Sequence, residues 1–257
     1  MIVDGRSVET KRWGPRPEVA PTLVLLHEGL GCVELWRDFP EALVEATGCG
    51  VFVYSRFGYG GSDPVTLPRP MTYMHDEALL VLPHVLDAAS LRRLILVGHS
   101  DGGSISAIYA GTMQDERVRG VVMLAPHFFV EELNIAAIRA IKQTYEEGGL
   151  RARMARYHRD VDMAFRGWND AWLDPQFRGF DITDQVAGIR VPVLALQGTE
   201  DPYGSDEQLR VLERAARCDV ETRLIDGARH SPHLEARQAT LDAIVPFVRN
   251  VLVKATA

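Results

Sequence analysis

Cysteine is scarce: Cys32, Cys49 and Cys218 are the only three in 257 residues, and no pair has a C-x-x-C spacing. So sparse and odd a set excludes a disulfide framework and reads as reduced thiols in a cytoplasm. Long apolar runs are missing too. No stretch approaches the roughly 18 apolar residues of a membrane-spanning helix, and Met1 to Arg6 (MIVDGR) lack the apolar core of a signal peptide. A soluble, cytoplasmic chain with no membrane partner is expected. Positive charge is also short. The net charge is −7 with no run of Lys and Arg, which argues against a nucleic-acid partner. Internal repeats and low-complexity segments are absent. What remains is ordinary: 46% hydrophobic and 25% charged residues, as in soluble globular proteins. The length suits one large α/β domain or two small ones with a sizeable core.

Short apolar runs alternate with longer amphipathic segments. Residues 22–26 (TLVLL), 51–54 (VFVY), 94–97 (LILV), 121–124 (VVML) and 191–196 (VPVLAL) lack polar alternation, as do strands covered on both faces of a parallel sheet. Residues 220–225 (VETRLI) alternate more and predict a strand nearer the edge. Apolar residues at helical spacing predict helices over 35–46, 76–86, 101–113, 207–216 and 236–253. The βαβα rhythm implies a doubly wound α/β sandwich. It breaks between about Phe128 and Ile189. That stretch has no convincing strand and carries Trp168 and Trp172 near Phe165, Tyr157 and Tyr145, which predicts a helical insertion.

Gly98-His99-Ser100-Asp101-Gly102 matches G-x-S-x-G directly after the run 94–97. A strand turning sharply into a helix strains its central residue and projects that side chain above the sheet, and the flanking glycines leave room for the turn. Gly103, Ser104, Ser106 and Ala107 keep the following helix slim. A serine hydroxyl is a weak nucleophile, so it needs a base, and the base needs an orienting acid. Asp201 stands three residues beyond Gly198, in the loop after 191–196, with Glu200 beside it as an alternative acid. His230 follows the run 220–225 within GARHSPH, far enough on for one helix, one strand and their turns. His233 is its nearest rival, and His27, His99 and His127 are further ones.

With these features in order, the chain resembles the α/β-hydrolase superfamily over essentially its whole length, from Leu23 to Leu252. The strand–elbow–helix at Ser100, the G-x-x-D ending at Asp201 and the G-x-x-H ending at His230 fall in that family's order. Arg56 to Asp63 (RFGYGGSD) resembles the family's turn after its fourth strand. The resemblance implies a mostly parallel sheet flanked by helices, with core segments 1–127 and 190–257 and a helical cap over 128–189. It favours His230 over His233 and implies a Ser100–His230–Asp201 triad that needs no cofactor and no metal.

An oxyanion hole needs two convergent N–H donors. One is expected from the backbone of Asp101, the other from the loop after Leu26, which reads His27-Glu28-Gly29-Leu30-Gly31. Relatives commonly read His-Gly where this chain has His27-Glu28. With no insertion Gly29 supplies the amide; if Glu28 is inserted, Leu30 does. Glu28 is then either a carboxylate tying down the loop or a group facing substrate. Trp168 and Trp172 are pocket candidates because lids cover the site. The H-x-x-H of His230 and His233 lacks a third ligand, and Gly58 to Gly61 lacks a P-loop lysine.

The activity so implied is cleavage of a small carboxylic ester, lactone or thioester through an acyl-enzyme, by a monomer or small homo-oligomer. A carbon–carbon bond hydrolase of the meta-cleavage type uses the same triad. Receptor-like binding relatives, and cofactor-free lyases or oxygenases, share the fold.

Overall fold

The computed structural model describes residues 1–254. Ile2–Val3 (β1) and Arg6–Ser7 (β2) form a small hairpin, and Thr10–Trp13 (β3) leads into the main sheet. The apolar runs then become Thr22–Leu26 (β4), Gly50–Tyr54 (β5), Leu94–His99 (β6), Val118–Leu124 (β7) and Val193–Gly198 (β8), with Val220–Ile225 (β9) last. The spatial order is β3-β5-β4-β6-β7-β8-β9. Within this sheet, among the described residues, only the β3–β5 pair is antiparallel. Every residue of β4, β5, β6 and β8 is buried, because helices cover both faces. Side chains alternate between two cores: Leu23 and Leu25 face one, Val24 and Leu26 the other. The alternating strand β9 lies at the sheet edge, as its pattern predicted.

Phe39–Thr47 (α1) covers one face of the sheet, joined later in the chain by a long C-terminal helix. The expected helix 35–46 is broken: a 3-10 turn spans Val33–Trp36, and Arg37 at φ 54 separates it from α1. Tyr73–Asp76 (α2) runs through a π-helical segment, Glu77–Val81, into Leu82–Ala88 (α3). Pro83 lacks the N–H an α-helix would use there, and the wider turn absorbs the loss. Asp101–Thr112 (α4) follows β6 and is buried along nearly its whole length.

Between β7 and β8 the insertion contains Glu132–Glu146 (α5), Gly149–Met154 (α6), Val161–Leu173 (α7) and Thr183–Gly188 (α8). Tyr145 and Phe165 stack at 3.6 Å between ring centroids and share a separate core with Met154, Val161 and Tyr59. Helix α8 packs instead on α4 and on Glu207–Ala215 (α9). Strand β8 starts two residues later than expected, since Pro192 has no N–H for the ladder. Pro232–Glu235 (α10) and Arg237–Lys254 (α11) close the described chain. No described helix is long and apolar enough to cross a membrane.

This topology chooses where a site can form. Strand β4 is central, with β5 on one side and β6 on the other. The chain leaves β4 towards β5 on one side and leaves β6 towards β7 on the other, which opens a crevice at the C-terminal ends of β4 and β6. The loop after β4 and the β6–α4 turn both border it.

Candidate active site

Ser100 occupies the turn between β6 and α4 with φ 52 and ψ −118. A non-glycine residue is strained there, by roughly 1–3 kcal/mol. Its amide donates to the Leu124 carbonyl at 2.8 Å, and its carbonyl accepts from Gly103 and Ser104. The flanking glycines are required by contact. A Cβ on Gly98 would lie 2.1 Å from the Gly102 oxygen, and one on Gly102 would lie 2.0 Å from the Leu26 oxygen. Strand, turn and helix therefore interlock, and the serine side chain is left at the crevice.

The structure brings Ser100, His230 and Asp201 together from three loops. His230 Nε2 lies 2.9 Å from Ser100 Oγ, and Nδ1 lies 2.8 Å from Asp201 Oδ2 and 3.0 Å from Oδ1. The Asp201 carboxylate is fully buried, whereas 16% of the His230 side chain is exposed. Two further donors hold the carboxylate: Tyr203 N to Oδ1 at 2.8 Å and Gln197 Nε2 to Oδ2 at 2.5 Å. Burial pushes the Asp201 carboxyl up, but the hydrogen bond and charge of His230 outweigh it and leave the group below its ordinary value. Glu200 points to solvent.

The other histidines surround this line, and among the described residues none of them hydrogen-bonds Ser100. His99 Nε2 donates to the His230 carbonyl at 2.7 Å, tying the His230 backbone to the β6–α4 turn. His127 stacks on His230 at 5.6 Å. His233 is buried against Trp36, Phe39 and His99. His27 accepts from the Arg56 amide at Nε2, so its proton sits on Nδ1 and is donated to the Glu28 carbonyl.

Burial holds His27, His127 and His233 well below the usual imidazole value, His127 at about 3, with further lowering from Arg56, His230 and His99 respectively. Unfolded, each takes up a proton near about pH 6.5; folded, each stays neutral. Below that pH the unfolded chain binds more protons, so stability is full above it and falls as pH drops. Each group contributes about 1.4 kcal/mol per pH unit, or roughly 4 kcal/mol for the three. Urea unfolding at pH 7.5 and 5.5 should show this loss. Equal midpoints at the two values would contradict it.

Asp101 opens α4, and its side chain is locked from several directions. Oδ2 accepts from Tyr73 Oη at 2.7 Å, Oδ1 from Trp172 Nε1 at 3.3 Å, and Arg56 Nη2 stands 3.6 Å from Oδ2. In the facing loop, the Glu28 carbonyl accepts three hydrogen bonds: His27 Nδ1 at 2.6 Å, Arg56 Nη2 at 2.8 Å and Gly31 N at 3.1 Å. The Glu28 carboxylate turns back towards the elbow, 3.5 Å from His99 Nδ1, with 28% of the side chain exposed. Burial pushes that carboxyl up, but His99 holds it well below the usual range.

Trp168 and Trp172, one turn apart on α7, reach these two loops. A Cβ on Gly29 would lie 2.1 Å from Trp168 Nε1, so only glycine lets the indole rest there. Trp172 is fully buried against Asp101, Tyr73 and His127. Arg56, Tyr73, Gln197 and Tyr203 are the participants that sequence reasoning missed. Only Arg56 had a signal, as a charged residue two positions after a buried strand.

A family model described as "Alpha/beta hydrolase family" matches residues 23–243. A non-heme chloroperoxidase from Streptomyces lividans is 27% identical over 280 aligned residues, covering 94% of this chain and 97% of that protein. A proline iminopeptidase from Lactobacillus helveticus is 23% identical, covering 86% and 87%. Among solved structures, the enol-lactonase from Burkholderia xenovorans LB400 is similar with a TM-score of 0.74 at 20% identity, over 96% of this chain and 98% of that one. The proline iminopeptidase of Mycobacterium smegmatis reaches 0.78 at 17% identity, over 99% and 98%. At such identities the structural likeness is one of fold.

Proposed function

The chain belongs to the alpha/beta hydrolase family, and from that premise we propose that Ser100, His230 and Asp201 are the catalytic triad of a serine hydrolase acting on a small carboxylic ester, lactone or thioester. The observation that carries this reading is the unbroken line from Ser100 Oγ through both nitrogens of His230 to a buried carboxylate. His230 takes the serine proton as Oγ attacks the carbonyl carbon, then returns it to the leaving group. Asp201 keeps the imidazole proton on Nδ1 and stabilises the imidazolium. Water discharges the acyl-enzyme with His230 again as base. The amides of Asp101 and Gly29 receive the oxyanion; neither donates to a backbone acceptor among the described residues. This chemistry uses side chains and backbone alone.

Residues 128–189 form the cap in this reading, with α8 packed back onto the core. Trp168 borders the acyl pocket through Gly29, and Trp172 lies behind the elbow. Three free thiols suit a cytoplasmic setting. An enol-lactonase and an esterase stand among the solved structures of the same fold, which supports the choice of bond. A fluorophosphonate probe located by mass spectrometry, alongside a panel of p-nitrophenyl esters, lactones, prolyl amides and vinylogous diketones, tests it. Labelling of Ser100 with preferred turnover of esters or lactones is expected. Ester turnover without labelling at Ser100 would sink the mechanism, and a preference for diketones would move the assignment to carbon–carbon cleavage.

A further inference from the structure

Arg56 lies outside the triad, yet its guanidinium is buried behind the site. It is 1% exposed, and its Nε and Nη1 have no hydrogen-bond partner among the described residues. Burying a cation with so few partners is expensive, and an uncharged donor would suffice to tie down a loop. Burial favours loss of its proton, but the fields of Tyr59, Asp101 and Glu77 keep it charged. Its ring neighbour is Tyr59, with the guanidinium carbon 4.8 Å from the centroid.

One nitrogen does the connecting. Nη2 donates to the Glu28 carbonyl at 2.8 Å and stands 3.6 Å from Asp101 Oδ2. That carbonyl belongs to the Glu28–Gly29 peptide, whose other end is the Gly29 amide. The carboxylate belongs to the residue whose amide is the second donor. The Arg56 backbone acts on the same peptide: its N–H at 3.0 Å fixes His27 with the proton on Nδ1, which is aimed at the Glu28 carbonyl. A carbonyl has two lone pairs, and this one accepts three hydrogen bonds. Such loading polarises the peptide and strengthens its N–H as a donor. It also fixes the plane of the peptide before substrate arrives, which is what oxyanion stabilisation requires.

We propose that Arg56 is a positioning residue of the oxyanion hole: its buried guanidinium orients and polarises the Glu28–Gly29 peptide and offsets the Asp101 carboxylate beneath the second donor. This rests on the reading of Ser100 as nucleophile and of Gly29 and Asp101 as donors. The acid after the nucleophile would otherwise set a negative charge close to a developing one.

The test compares wild type with Arg56→Lys, which keeps the charge but not the planar fork. A second variant pairs Arg56→Met with Asp101→Asn, so that the Asp101 carboxylate is not left buried without its counter-charge if Arg56→Met alone does not fold. Turnover is expressed per Ser100 site titrated with fluorophosphonate, which removes any loss of folded protein from the rate. In both variants kcat per site should fall at least about tenfold with KM within about twofold, since the interaction strengthens only in the transition state. Affinity for a substrate-shaped trifluoromethyl ketone, which forms an oxyanion on Ser100, should fall by the same factor as kcat/KM. Affinity for the matching carbinol should not change. A purely structural arginine would lower the melting temperature and the number of titratable sites while leaving kcat per site intact. Normal kcat per site in Arg56→Lys, with wild-type Ser100 labelled, overturns the role of Arg56 and leaves the triad standing. Wild-type protein that turns over esters without labelling at Ser100 overturns the triad, and this proposal with it.

Discussion

Ser100→Ala should lower kcat/KM on the preferred ester by roughly 10⁴-fold or more, and His230→Ala should do nearly the same. Among the described residues Oγ makes one hydrogen bond, to His230 Nε2 at 2.9 Å, so its removal takes the proposed nucleophile away and leaves the packing in place. The turn is held through the Ser100 backbone, by Leu124 on one side and Gly103 and Ser104 on the other. Alanine tolerates φ 52 no better than serine does, so the melting temperature should stay within a few degrees. Because nucleophile and base act as one unit, the double variant should be no slower than either single one. The residual rate would come from the oxyanion hole and from binding. Steady-state kinetics on the three proteins, with thermal melts as a control, decide the matter. A Ser100→Ala rate within tenfold of wild type excludes the acyl-enzyme route.

What could be read in advance follows the range of the interactions. The elbow was legible because its requirements are local: apolar strand, two glycines that nearly touch neighbouring backbone, small residues in the next helix. The strand cores were legible because burial on both faces leaves unbroken apolar runs, and β9 because an edge strand shows alternation. Helix ends were less so. Arg37 at φ 54 breaks the expected helix 35–46, and no residue type announces that conformation. Strands β1, β2 and β3 are too short to carry a periodic signal, and β3 is partly exposed with charges on its surface.

The groups behind the site were the least legible. Arg56 meets Glu28 and Asp101, and Trp172 meets Asp101 and Tyr73, across wide gaps in sequence. Only the packed fold brings such partners together. The glutamate after His27, where relatives commonly have glycine, left two roles open. In the structure its carboxylate faces His99 and its carbonyl is where Arg56 docks. The turn Arg56 to Asp63 was visible as a motif, but its first residue had no role until the burial of its side chain was known.

Asp201→Asn is the more instructive variant, because its failure would be electronic and not steric. Both carboxylate oxygens already accept: Oδ1 from Tyr203 N, Oδ2 from Gln197 Nε2, and both lie against His230 Nδ1. An amide in their place must turn its NH2 one way or the other. Towards Tyr203 it sets donor against donor in a buried spot, which costs about 1–3 kcal/mol. Towards Gln197 it can be accommodated more cheaply, because a flip of that side chain supplies Oε1 as an acceptor at the loss of the Nε2 hydrogen bond to the Gly204 carbonyl, 3.3 Å long. The NH2 then faces His230 Nδ1, which must accept, and the imidazole proton moves to Nε2. In that tautomer Nε2 cannot take the proton of Ser100. The expected loss in kcat is up to roughly 10⁴-fold, the scale set by a wrong tautomer in such triads. Glu200, exposed and outside hydrogen-bond reach of His230, should not rescue it, and Glu200→Gln alone should leave kcat within about twofold, as surface substitutions generally do. An Asp201→Asn enzyme retaining a tenth of its activity, with that remainder abolished by adding Glu200→Gln, would show that the neighbouring glutamate swings in as the acid and that Asp201 is not the partner His230 depends on.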